Sequence, residues 1–129
     1  MEVQELIMSI AKQEEAKNHL SQVLDAYKLM DYHKLNYLLD EGYYQDMQKT
    51  AFIYKQKQIF NYMQKKGDTH LNLSTNICTG CLCGKPVFVL TGNQSGLIYA
   101  IYVEFLNNDI VDIFICSEQS NSSFGMLPF

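Results

Sequence analysis

Apolar residues in the first part of the chain recur at intervals of three and four, which is the spacing of an amphipathic helix. Two such stripes precede Met30, and the polar run Lys12–Asn18 lies between them. We therefore predict a short N-terminal helix followed by a longer one. Asp31 is placed as the N-cap of a third helix, Tyr32–Leu39, which the turn Asp40–Gly42 ends because glycine tolerates the left-handed conformation.

A fourth helix is predicted over Gln48–Lys66, where apolar residues again form one stripe. The stripe consists of Phe52, Ile59, Phe60 and Met63. Lysines at the C-terminal end suit the negative end of the helix dipole, and Gly67 with Asp68 stops the helix. The segment Tyr43–Met47 in front of this helix is predicted to be a connection, in which Asp46 caps the helix.

The second half of the chain holds four β-rich runs separated by short polar or glycine-containing gaps. Such gaps join antiparallel neighbours, because parallel strands need a crossover of a dozen residues or more. The predicted fold class is α+β, with N-terminal helices packed on a curved antiparallel sheet of four or more strands. The runs are His70–Cys78, Lys85–Thr91, Leu97–Phe105 and Asp109–Cys116.

We expect one domain, because 129 residues suffice to bury a core without disulfides or metal. Its helices should span about 3–66, its sheet about 70–118 and a tail 119–129. The tail is expected either to fray or to dock through its apolar residues. These residues are Phe124, Leu127 and Phe129.

Alternation along the last two strands assigns the faces of the sheet. The odd-numbered residues of Leu97–Phe105 are all apolar and should face the helices. In the last strand Val111, Ile113 and Ile115 should do the same. Asp112 then lies on the other face, where it either meets solvent or a cross-strand lysine, or else performs acid–base chemistry in a pocket with a perturbed pKa.

Charge and composition restrict the function classes. The chain carries a net charge of −4 with ten basic residues, all of them lysine. Absence of arginine argues against nucleic-acid binding, which relies on bidentate phosphate and guanine contacts. No apolar run is long enough to span a bilayer, and the N-terminus lacks the pattern of a secretory signal, so we expect a cytoplasmic protein with no membrane contact.

Two segments carry a likeness to a known family, HLSQVLDAYKLMDYHKLNYLLDEGYYQDM in the helical part and IVDIFICSE at the end of the strands. With the order of elements, which covers about Ala16–Glu118, they resemble the nuclear transport factor 2-like (SnoaL-like) superfamily. It implies a cone-shaped fold, a pocket between the helices and the concave sheet, and often a dimer formed through the sheet. Some members are isomerases, dehydratases or cyclases, and others only bind, so the fold does not specify the chemistry.

Enzymes of this layout generally use an Asp, often with a His or Tyr, in the pocket. The nearest candidates by position are Asp112, Asp31 and Tyr99 as catalytic residues, with Tyr27 and Tyr99 as ligand-binding residues. None of them lies in a motif specific to one reaction.

The turn after the first strand departs from the family pattern, because it places Cys78, Cys81 and Cys83 within six residues. A knuckle of this kind directs thiolates toward one zinc ion, with Cys116 as the fourth ligand. His70 lies roughly 27 Å from Cys78 along an ideal strand, at about 3.3 Å per residue, which disfavours it as a ligand. Two other readings stay open, a redox or disulfide role and reduced cysteines that fill the core.

Three hypotheses of function follow. The first is a non-enzymatic binding domain with no cofactor, which accepts a small apolar ligand and forms a homodimer through the outward aromatics Tyr102 and Phe114. The second is an isomerase, lyase or hydrolase that uses Asp112 or Asp31 as a base and a tyrosine as hydrogen-bond donor. The third is an interaction module stabilised by zinc at the cysteine turn.

Overall fold

Helices and an antiparallel sheet make up the part of the chain that the structure, a computed structural model, describes: residues 1–80 and 84–126. The helices α1–α4 lie on a four-stranded sheet, which confirms the predicted α+β class, and a two-residue hairpin (β1–β2) precedes α4. The elements are α1 (Val3–Ile10), α2 (Glu14–Lys28), α3 (Tyr32–Leu38), β1 (Tyr43–Tyr44), β2 (Met47–Gln48), α4 (Lys49–Lys65), β3 (Leu71–Cys78), β4 (Lys85–Gly92), β5 (Ile98–Leu106), β6 (Asp109–Ile115) and a 3-10 helix (Ser122–Met126).

The end of α2 is closed by a residue other than glycine. Met30 adopts a left-handed backbone with φ of 53°. Asp31 N donates to Ala26 O at 2.9 Å and Met30 N to Tyr27 O at 3.0 Å, which is the double hydrogen bond of a Schellman motif. Met30 is 5% exposed, so burial of its side chain compensates for a conformation that normally favours glycine.

Helix α3 begins as predicted and ends by a different mechanism. Asp31 is its N-cap, with Oδ1 accepting from Lys34 N at 3.0 Å. The helix ends at Leu38, one residue before the predicted end, and Leu39 is already extended, so the predicted closure by a left-handed glycine in the turn Asp40–Gly42 is wrong. Gly42 therefore plays no part in closing this helix.

The segment Tyr43–Met47 forms most of the β1–β2 hairpin and is more than a connection. Its turn residues Gln45 and Asp46 have φ of 51° and 62°, the pair of left-handed conformations of a type I′ turn. Since the turn uses Asp46, the prediction that this residue caps α4 is wrong. Gln48 occupies the N-cap position of α4 instead.

The sheet is a meander with strand order β3-β4-β5-β6, and each neighbouring pair is antiparallel. One face packs against the helices to form the main core. The predicted facing of β5 is confirmed, because its odd-numbered residues belong to this core, and so is the stripe of α4. The fully buried members of these two sets are Tyr99, Ile101, Val103, Phe52, Ile59, Phe60 and Met63.

A β-bulge changes the facing of the first part of β6. Glu104 pairs with Asp112, but the next residue, Phe105, pairs with Ile110, so Val111 is the extra residue. Ile110 is consequently buried, whereas Val111 is 38% exposed. The predicted inward position of Val111 is therefore wrong. Beyond the bulge, Ile113 and Ile115 contribute to the core as expected.

The outer face of the sheet carries a second apolar cluster, which consists of Cys78, Val87, Val89, Ala100 and Cys116. The segment after β6 is hydrogen-bonded to the C-terminal end of β3. There Gln119 Oε1 accepts from Asn76 Nδ2 at 2.8 Å, and Glu118 Oε1 accepts from Thr79 N at 2.9 Å. We conclude that this segment shields the cluster from solvent.

The tail docks through Phe124, which is 1% exposed. Its ring meets the edges of Tyr62 and Tyr99 at centroid distances of 5.9 and 5.5 Å. The other two apolar tail residues, Leu127 and Phe129, lie outside the described residues. None of the helices in the described part of the chain is long and apolar enough to cross a bilayer.

Asp68 connects the end of α4 to the β4–β5 loop. It follows Gly67, whose φ of 100° ends the helix as predicted. Asp68 is 4% exposed, and its Oδ1 accepts from Gln94 N at 2.8 Å and Ser95 N at 2.7 Å, while Oδ2 accepts from Ser95 Oγ at 2.6 Å. A Cβ at Gly92 would collide with this carboxylate, so glycine is required there.

Asp68 is expected to make stability depend on pH. Burial raises the pKa of its carboxyl, but hydrogen bonds from Ser95 and Gln94 and the nearby His70 outweigh burial and lower the pKa below its ordinary value of 3.8. A lowered pKa in the folded state means that the stabilisation is complete above about pH 4 and is lost as the pH falls through the folded-state pKa. We expect Asp68→Asn to lower the free energy of unfolding by about 1–2 kcal/mol at neutral pH.

The same substitution should also reduce the loss of stability below about pH 4, because the variant has no carboxyl at this position. Urea unfolding measured across this pH range checks both effects, with Asp25→Asn on the exposed surface of α2 as the control. Stability curves for Asp68→Asn and wild type that stay parallel down to the lowest pH would contradict the assignment.

Candidate functional site

Two predicted site residues meet in the core on a residue that the sequence analysis did not select. Tyr27 from α2 and Tyr99 from β5 both donate their hydroxyls to Gln56 Oε1 on α4, at 3.0 and 2.9 Å. Gln56 Nε2 donates in turn to Phe52 O at 3.4 Å. The three side chains are at most 1% exposed, so this buried triad, Tyr27–Gln56–Tyr99, connects the helices to the sheet.

The surroundings of the buried triad are aromatic. The Tyr27 ring meets Phe60 edge to face at 5.7 Å, and the centroids of Tyr27 and Tyr99 are 6.3 Å apart. Burial raises the pKa of Tyr27 well above its ordinary value, with a further contribution from Tyr99. Burial also raises the pKa of Tyr99, and the hydrogen bond to Gln56 offsets only part of that rise. Both phenols are therefore neutral donors at physiological pH.

Gln56 was detectable in the sequence. It lies four residues after Phe52 and three before Ile59, so it occupies the middle of the apolar stripe of α4. A polar residue at such a position must find partners when the stripe is buried. The stripe itself predicts burial of this amide, and the partners that satisfy the amide come from α2 and β5.

Removal of the shared acceptor should destabilise the fold more than removal of the whole network. We expect Gln56→Leu to lower the free energy of unfolding by about 2–4 kcal/mol, because two buried hydroxyls lose their acceptor. The triple variant Tyr27→Phe/Gln56→Leu/Tyr99→Phe should recover much of this loss, since no polar atom of the network is left unpaired. Urea denaturation measures both variants, and a triple variant no more stable than Gln56→Leu contradicts the role given to the network.

Asp112 fixes the hairpin to the edge of the sheet. It is half-buried on β6, and its Oδ1 accepts from Gln45 N at 2.7 Å and from Ile113 N at 2.8 Å. The first of these bonds joins residues 67 positions apart, at the turn where Gln45 has a left-handed backbone. The carboxylate thus supports a strained turn by accepting from its backbone.

Asp31 lies elsewhere, on the exposed corner between α2 and α3, where its carboxylate caps α3. It also borders a shallow groove of about 410 Å³ that includes Leu29 and Lys34. Of the four candidate residues the structure therefore brings together Tyr27 and Tyr99 only. Within the described residues, neither Asp31 nor Asp112 is hydrogen-bonded to the buried triad.

The two described cysteines, Cys78 and Cys116, both belong to the outer-face cluster and are fully buried. Cys116 pairs with Ala100, Ala100 with Val89, and Val89 with Ser74, which is four residues along β3 from Cys78. The loop after β3 and the segment after β6 approach each other, because Thr79 N donates to Glu118 Oε1 at 2.9 Å. The four-cysteine zinc site stays a prediction.

Other parts of the zinc hypothesis involve Cys81 and Cys83, which lie outside the described residues. His70 is exposed and its Nδ1 is 3.3 Å from Thr69 Oγ1. Among residues 1–80 and 84–126 no group of three or more His, Cys, Asp or Glu side chains is arranged to hold a metal.

Zinc content tests whether the cysteine turn is a metal site. Since Cys78 and Cys116 are fully buried in an apolar cluster, where reduced cysteines usually act as small apolar side chains, we expect a zinc-to-protein ratio well below one in protein purified without chelator. Elemental analysis gives this ratio, and thermal unfolding with and without a chelator should give the same midpoint. A ratio near one that falls in Cys116→Ala would contradict this expectation and support the four-cysteine site.

A surface groove lies where the hairpin meets the edge of the sheet. Gly42, Tyr43 and Tyr44 form one wall, and Ile110 and Val111 form the other. We call it the β1–β6 groove, and its volume is about 270 Å³. Three exposed carboxylates, of Asp40, Glu41 and Asp109, complete the lining. The groove thus combines apolar walls with a negative rim.

Comparisons of the chain with protein-family models, with curated proteins and with solved structures give no match. The function therefore has to be argued from the geometry above.

Proposed function

We propose that the protein is a non-catalytic interaction domain of the nuclear transport factor 2-like class, which forms a homodimer through the outer face of its sheet. The observation that carries the proposal is that all four candidate side chains make hydrogen bonds within the fold. Tyr27 and Tyr99 donate to Gln56, and each candidate carboxylate accepts from backbone amides. A general base or acid has to reach a proton of the substrate, and these groups are occupied in maintaining the fold.

The order of elements supports the class. Helices come first along the chain and a four-stranded antiparallel meander follows, which is the order on which the resemblance depends, and the β1–β2 hairpin before α4 is an addition to that order. A small apolar ligand between helices and sheet would have to displace Tyr27, Tyr99 or the aromatic rings around them. Since those side chains are at most 1% exposed, the geometry favours partners that bind at the surface.

The homodimer is supported by an aromatic pair on the face opposite the helices. Tyr102 and Phe114 are half-buried neighbours whose rings stack at 6.3 Å with an interplanar angle of 27°. Lys85 Nζ lies 5.1 Å from the centre of the Tyr102 ring. A sheet face with such residues is often covered by a second copy in symmetric dimers. The net charge of −4 favours protein over nucleic acid as any further partner.

Sedimentation equilibrium tests the homodimer. The wild-type protein is expected to have about twice the chain mass of 14.9 kDa at micromolar concentration. Tyr102→Asp places a charge in the proposed contact and should give the mass of one chain, whereas Tyr37→Asp, at an 82% exposed residue of α3, should remain dimeric. A wild-type mass equal to one chain would overturn the dimer.

A further inference from the structure

The β1–β6 groove has features that neither the core nor the proposed dimer face uses. Its strand β6 is the last of the four-stranded sheet, and the β1–β2 hairpin beside it forms a separate two-stranded sheet. Within the described residues, β6 forms its backbone ladder with β5 alone. The hairpin lies beside the other edge of β6, where Gln45 N donates to Asp112 Oδ1, and the groove runs between the two.

The rim of the groove has an excess of negative charge. Glu41 forms an ion pair with Lys49 at 3.7 Å. Among the described residues, no other carboxylate of the groove is in an ion pair. Asp40 and Asp109 are both exposed, and the described part of the chain supplies no ion-pair partner to either carboxylate. The pKa of Tyr44 is raised to about 12, first by burial and then by the charges of Asp40, Asp112 and Glu41.

Elsewhere in this protein, lysine ammonium groups form cation–π contacts with tyrosine rings. Four half-buried or exposed tyrosines each have a lysine Nζ over the ring, at 5.1 to 5.8 Å from the centroid. Tyr43 and Tyr54 are 61% and 50% exposed, and the described residues place no lysine over either ring. Tyr43 lines the β1–β6 groove together with its carboxylates. The four pairs are Lys34–Tyr37, Lys57–Tyr32, Lys66–Tyr62 and Lys85–Tyr102.

We infer that the β1–β6 groove binds an arginine- or lysine-bearing segment of another protein. The cationic group lies over the Tyr43 ring and is neutralised by Asp40 and Asp109. The alkyl part of the side chain packs on Val111. Arginine fits better than lysine, because its planar guanidinium both stacks on a ring and forms bidentate bonds with a carboxylate.

The inference depends on the proposed function, since it identifies the partner class of the interaction domain. A second copy of the chain is the less suitable occupant. The chain has no arginine, and four of its ten lysines are already placed over its own tyrosines.

Fluorescence anisotropy with short labelled peptides tests the inference on the full chain. One peptide alternates arginine with small uncharged residues, and its matched control carries citrulline, which keeps the shape but lacks the charge. The arginine peptide is expected to bind and to lose affinity as salt rises, while the citrulline peptide should not bind. Amide chemical shifts should change at Gly42, Tyr43 and Val111 on titration. Equal binding of the two peptides, or shift changes confined to other surfaces, would overturn the inference.

Variants test the residues. Tyr43→Ala and Asp109→Asn should each weaken binding by about two- to fivefold, and Tyr43→Phe, which keeps the ring, should restore most of the loss. Asp40→Asn serves as a second acidic variant in case Asp109→Asn disturbs the β5–β6 turn. Tyr54→Ala, at an exposed tyrosine outside the groove, should bind as wild type. An equal loss in Tyr54→Ala would contradict a specific groove.

Sedimentation of the same variants separates the two proposals. Peptide binding by a monomeric protein would leave the groove intact and overturn the dimer only. A dimer that binds no arginine peptide would overturn the groove only. If Tyr43→Ala reduced the mass from two chains to one, the occupant would be a second copy, and the inference would be wrong.

Discussion

The structure depends on one shared acceptor in its interior. Gln56 Oε1 receives hydroxyl groups from α2 and from β5, so a single amide joins a helix layer to the sheet on which it lies. Buried polar groups are tolerated only when they are paired, and pairing here requires that three elements approach one another to hydrogen-bond distance. This requirement determines the spacing between α2, α4 and β5.

Regular elements of the fold were predictable because each follows a local rule. Apolar spacing indicated the stripe of α4, and Asp31 has the side chain that an N-cap needs. The structure departs from the prediction where residues distant in sequence determine the backbone conformation. Met30 takes a left-handed backbone because the core buries its side chain, and Gln45 does so in a turn whose amide donates to Asp112. Such support is not visible in a window of neighbouring residues.

The candidate site was predictable only in part, for the same physical reason. Tyr27 and Tyr99 were selected by position and do meet, although they meet on Gln56 in the interior. The carboxylates of Asp68 and Asp112 accept from amides that are 26 to 67 positions away in sequence. Whether a carboxylate binds a substrate or its own backbone depends on such long-range partners. Residue type and alternation alone therefore cannot separate the two roles.

The bulge at Val111 has a consequence for the whole edge of the molecule. One additional residue puts the two halves of β6 out of phase, so that Ile110 points inward and its neighbour Val111 is exposed at the wall of the β1–β6 groove. A single inserted residue thereby allows two successive apolar side chains to be used, one in the core and one at the surface. If this chain is aligned with a strand that lacks the extra residue, buried and exposed positions between Asp109 and Val111 are exchanged. The alignment would then assign Val111 to the interior and miss its place in the groove.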